Sequence, residues 1–93
     1  MKHTLIEKTE PEIAHLSVPL RALWHAAQGH WDTAHKLVQD DPSSDSAWVH
    51  AYLHRVEGDI GNAHYWYHQA GKKPATGVSL EQELESLIEA LDT

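Results

Sequence analysis

The sequence predicts an all-α domain of two stacked antiparallel helix hairpins, closed by a C-terminal capping helix. Three observations carry this. Apolar residues recur at helical rather than alternating spacing in each well-patterned stretch. Gly and Pro fall between those stretches, at Gly29, Pro42, Gly58 and in the Gly71–Gly77 loop. Finally, an offset of 29 positions lays Ala22–Asp41 on Ala51–Ala70 without a gap. Ala22/Ala51, His25/His54, Gly29/Gly58, Ala34/Ala63 and His35/His64 are then identical, and Trp31/Ile60 and Leu37/Trp66 keep their apolar character. Each unit reads as helix, Gly turn, helix. Such a unit cannot bury its own apolar face, so the two stack.

In chain order, residues 1–16 form a polar N-terminal arm ahead of a single domain over 17–93. Met1–Glu12 lacks apolar periodicity and is expected to wrap the domain loosely. Thr9-Glu10-Pro11-Glu12 has the form of a capping box with an early Pro, so a short turn through Leu16 fits. Pro19 argues against one helix running on from there. The first full helix therefore starts at Ser17 or Val18 and ends at Gly29. A second, from about Trp31 to Asp40, has Trp31, Ala34, Leu37 and Val38 on one face and completes the hairpin 17–41. Asp41-Pro42-Ser43-Ser44 stops it. Ser44 or Asp45 then caps a third helix, about Ser46 to Glu57. Asp59 caps a fourth, Ile60 to Ala70, with Ala63, Trp66, Tyr67 and Ala70 inward, which completes the hairpin 44–71. Ser79-Leu80-Glu81-Gln82 is a capping box opening the capping helix 79–92. Leu80, Leu84, Leu87, Ile88 and Leu91 share one face of that helix, and the other face is acidic.

Composition narrows the function classes. Ninety-three residues make one small domain, and 41% hydrophobic content is too high for disorder. Phe is absent, so four Trp and three Tyr supply the aromatic volume, each with a polar group that needs a partner when buried. Seven Lys and Arg against fourteen Asp and Glu give −7 with His neutral. Such an acidic chain, with no basic cluster, repels phosphate backbones and anionic lipid, so neither nucleic acid nor membrane is an expected partner. Met1–Glu12 is too polar for a signal peptide, and a cytoplasmic location is expected. Zero cysteines exclude disulfides and thiolate metal sites. Nine His make solubility and association sensitive to pH near 6.

The segment Gln28-Gly29-His30-Trp31-Asp32-Thr33-Ala34 resembles a tetratricopeptide-type (TPR) repeat, and Glu57-Gly58-Asp59-Ile60 through Ala63, Tyr67 and Ala70 is similar to a second copy. The offset of 29 is shorter than the roughly 34 residues of that family. Trp48–Gly71 also resembles a group of short bacterial proteins without an assigned activity. The TPR resemblance implies a right-handed superhelical fragment whose first helices line a concave, peptide-binding groove. Carried over by the Gly register, it puts Trp48, Tyr52, Arg55 and Val56 on the groove side, and helical spacing agrees. Ala47, Ala51 and His54 then turn toward the partner helix.

Trp48, Tyr52 and Arg55 form the leading candidate site. An Arg beside two aromatics can stack and still offer its fork to a carboxylate, which suits a peptide terminus or small acidic ligand. The alternative places Trp48 and Tyr52 in the core, with Arg55 paired to Glu57 or Asp59. His54 and Tyr65 are lesser candidates for ligand or partner contact. His50/His54 and His64/His68 each stand at i, i+4, the spacing with which two imidazoles reach one metal from a helix face. No cofactor is assigned, and no nucleophile elbow, phosphate loop or Ser–His–Asp order is present. Ser17, Ser43, Ser44, Ser46 and Ser79 read as caps or turns. The function expected is a non-enzymatic protein- or ligand-binding module. The alternatives are a histidine-based metal or acid–base site between the third and fourth predicted helices, and a purely structural homodimer.

Overall fold

The computed structural model describes residues 5–92. They form six helices and no strand: α1 Glu10–Ile13, α2 Val18–Ala27, α3 Trp31–Gln39, α4 Ser44–Val56, α5 Ile60–Ala70 and α6 Leu80–Leu91. None is long and apolar enough to cross a membrane. Met1–Thr4 and Thr93, which belong to the expected arm and the end of the domain, lie outside the described residues.

Local chemistry sets the boundaries. Gly29 and Gly58 take φ of 84° and 86°, which lets the chain reverse within three residues. At both turns a left-handed C-terminal motif closes. His30 N–H donates to His25 O at 2.8 Å and Asp59 N–H to His54 O at 2.9 Å. His25 and His54 are thereby fixed in the last turn of their helices, beside the following helix. α4 begins two residues earlier than the spacing predicts. Ser43 caps it by accepting from Ser46 N–H at 3.1 Å, and Asp41 in turn accepts from the Ser43 hydroxyl at 2.8 Å and from the Ser46 hydroxyl. The box at Ser79 and Gln82 closes as its sequence predicts.

α2 packs on α3 and α4 on α5, and α4 sits at the centre, touching α2, α3, α5 and α6. The main core joins Leu20, Leu23, Val38, Val49, Leu53, Leu87 and Ile88. A smaller cluster of Ala51, Ala63 and Tyr67 seals α4 to α5.

Two expectations are corrected here. The N-terminal arm is not loosely wrapped, since Leu5 and Ile13 are buried in the main core. Trp24 Nε1–H also donates to Lys8 O at 2.8 Å. Leu5 and Ile6, adjacent in a polar stretch, give no periodicity, but with Ile13 they are enough to anchor the segment. The second correction concerns the last helix. α6 lies across α2 and α4, the two helices whose faces were expected to line an open groove.

Candidate metal centre between the two helix pairs

Tyr52 and Arg55 stand under α6. Tyr52 is buried, and Arg55 donates through Nη1 to Glu83 Oε1 at 2.8 Å and through Nη2 to Val78 O. Glu83 is itself only 6% exposed and also accepts from the Tyr67 hydroxyl. Burial, with the Glu83 carboxylate nearby, pushes the Tyr52 phenol up to about 12 and raises that of Tyr67 as well. Arg55 therefore pairs with neither Glu57 nor Asp59, and it does not face an open hollow. Its partner lies one turn before Leu87, at the edge of the α6 apolar stripe, and not on the exposed side that carries Glu81 and Glu89. Trp48, half-buried, carries Lys72 Nζ 4.3 Å above its ring. Val56 and Tyr65 are exposed. Four of the five residues expected to contact a ligand are thus divided between an internal polar lock, a surface cation–π contact and open solvent.

His54, the remaining member, belongs elsewhere. It does not only face its partner helix: with His50 it meets His35 from α3 in a cluster between the two helix pairs. One ligand atom from each of the three imidazoles lies within 4.8 Å of the others. His35 Nε2 and His50 Nε2 are 3.0 Å apart. His50 and His54 stack at 4.8 Å between centroids. Trp31 stacks on His35 at 4.7 Å and donates its N–H to Leu53 O at 2.7 Å, which holds the indole against α4. Trp66 of α5 covers His50 at 3.9 Å. His50 and His54 are buried, and His35 is half-buried.

The electrostatics follow from that enclosure. Burial depresses His50 to about 4, with the neighbouring His35 and His54 acting in the same sense. Burial also lowers His35, reinforced by His54 and opposed by Glu57 and Asp32. Glu57 Oε1 accepts from His54 Nδ1 at 2.6 Å, which orients the ring with Nε2 on the side away from the carboxylate. His50 Nδ1 is buried without a hydrogen-bond partner.

Of the predicted histidine pairs, His50/His54 enters this cluster and His64/His68 does not, since both of the latter are exposed. His35, which was no candidate, takes their place. The repeat held the signal. His35 and His64 are equivalent positions, but α4 packs against α3, whereas among the described residues no helix pair covers the matching face of α5. An equivalent residue at the end of a stack stays in water. Comparison with protein-family models, with curated proteins and with solved structures gives no match, so the functional reading rests on these residues alone.

Proposed function

We propose that the chain is a small helical-repeat protein, its hairpins stacked in a TPR-like manner, that binds one divalent transition-metal ion through His35, His50 and His54. The carrying observation is the convergence of three imidazoles from two helix pairs, with ligand atoms inside 4.8 Å. Metal–nitrogen bonds of about 2.0–2.1 Å in a tetrahedral site put donor nitrogens roughly 3.3 Å apart. The 3.0 Å between His35 and His50 lies close to that spacing. Each of the three imidazoles offers one ring nitrogen to the site. Glu57 on His54 Nδ1 is the outer carboxylate that orients a metal-binding imidazole. All-nitrogen donors favour zinc, nickel or copper over magnesium or calcium. Burial keeps His50 neutral and therefore ready to ligate at neutral pH. Binding of a protein or small acidic ligand through Trp48, Tyr52 and Arg55 has less support, because the guanidinium and the phenol are engaged within the chain.

The test is cobalt(II) titration of untagged protein carrying His64→Ala and His68→Ala, followed by its visible absorption. One cobalt per chain with a tetrahedral-type spectrum, displaced by zinc and lost on His35→Asn with helicity retained, is the expected result. Absence of saturable binding at micromolar cobalt, or binding indifferent to His35→Asn, would overturn the reading.

A further inference from the structure

α5 is built unlike the other helices. It carries no Asp, Glu, Lys or Arg in a chain of net charge −7, whereas each of the other described helices carries at least one. Its outer arc presents Ile60, Gly61, His64, Tyr65 and His68, all exposed, with Ile60 at 50% and Tyr65 at 55%. Through the repeat, Ile60 and His64 of this arc correspond to Trp31 and His35, where α3 receives α4, whereas Gly61, Tyr65 and His68 correspond to the exposed Asp32, Lys36 and Gln39. The Ile60–His64 side of the arc is therefore a packing surface without its packing partner. Nothing inside the chain demands glycine at 61, since a Cβ there would meet no atom within 4 Å. Gly61 stands in the first turn of α5, where a small residue lets another backbone come close.

We propose that this face is where a second copy of the chain docks, two α5 helices pairing antiparallel about a two-fold axis with a divalent metal ion held between them. Charge selects this occupant. Two chains of net charge −7 repel one another, and an uncharged helix face is where they approach at least cost. The two ends of α5 are complementary: Glu57 and Asp59 flank its N-terminus, and Lys72 and Lys73 follow its C-terminus. An antiparallel pair sets each acidic end beside the basic end of its partner and opposes the helix dipoles.

Area explains the metal. Eleven residues make a helix about 16 Å long, so one face covers on the order of 200 Å² a side, far below the roughly 800 Å² per partner of a standard interface. Apolar burial alone does not hold such a pair. His64 and His68, at i, i+4 on each helix, together give the dimer four imidazoles, a full tetrahedral set. This dimer site is separate from the His35–His50–His54 cluster and does not depend on it.

Sedimentation equilibrium of the untagged chain near neutral pH, with zinc and with chelator, tests the proposal. The mass is expected to double with stoichiometric zinc and return to monomer on chelation. His64→Ala with His68→Ala should abolish the zinc-driven dimer, and Tyr65→Glu should weaken it at least tenfold. All three side chains are exposed, so folding is retained, and circular dichroism verifies it. His35→Asn should still dimerise. A chain that stays monomeric with zinc, or a dimer that survives loss of both His64 and His68, overturns the proposal.

Discussion

Replacing Arg55 with Met isolates the contact on which the seating of α6 depends. The side chain of Arg55 is 17% exposed and that of Glu83 only 6%. Breaking a buried ion pair from one side costs about 3–5 kcal/mol, because the remaining charge stays buried and uncompensated. Partial exposure of the guanidinium trims this, and the Tyr67 hydroxyl continues to serve the carboxylate, so about 3 kcal/mol is expected. A domain of this size holds roughly 5–14 kcal/mol in all, so the loss is large. Urea denaturation followed by tryptophan fluorescence measures it. The double substitution Arg55→Met, Glu83→Leu should be more stable than Arg55→Met alone, since it removes the stranded charge. A deficit below about 1 kcal/mol, or a double variant no more stable than Arg55→Met, refutes the assignment of this pair as the α4–α6 lock.

Two further outcomes follow from the structure. His50 is depressed from 6.5 to about 4, so its neutral form is the folded one and the unfolded chain binds the extra proton. Stability is therefore complete above about pH 6.5 and declines as pH falls toward about 4, by roughly 2–3 kcal/mol, with His25 and His35 acting in the same direction. His50→Phe should flatten this limb of the pH profile, and a wild-type profile already flat over that window would contradict the burial of a neutral ring. Ser43→Ala removes the acceptor for Ser46 N–H and should cost about 1 kcal/mol by chemical denaturation, whereas Ser44→Ala, one position inside the helix, should cost less than half as much.

Much of the architecture was legible before any coordinates. Gly29 and Gly58 marked turns because only a left-handed residue closes them so tightly. Asp59 and Ser79 marked helix starts because each offers an oxygen to an orphan backbone N–H. The burial of Ala63, Tyr67 and Ala70 followed from period alone. The candidate site was legible in part. His50 and His54 were visible through their i, i+4 spacing, but His35 was a single histidine on another helix, and nothing local singled it out from its repeat mate His64.

What tertiary structure decided is which equivalent surface met a neighbour. Glu83 stands one turn before Leu87 on the inward side of α6 and is buried against Arg55 and Tyr67, while Glu81 and Glu89 stay exposed. Helical period reports which residues lie on the same side of a helix. It does not report what stands opposite, and burial, protonation and ligand geometry are set by what stands opposite. The chain's own order therefore determined the helices and their turns. Only the docking of α6 across α2 and α4, and of α3 against α4, closed the expected groove and gathered three imidazoles in its place.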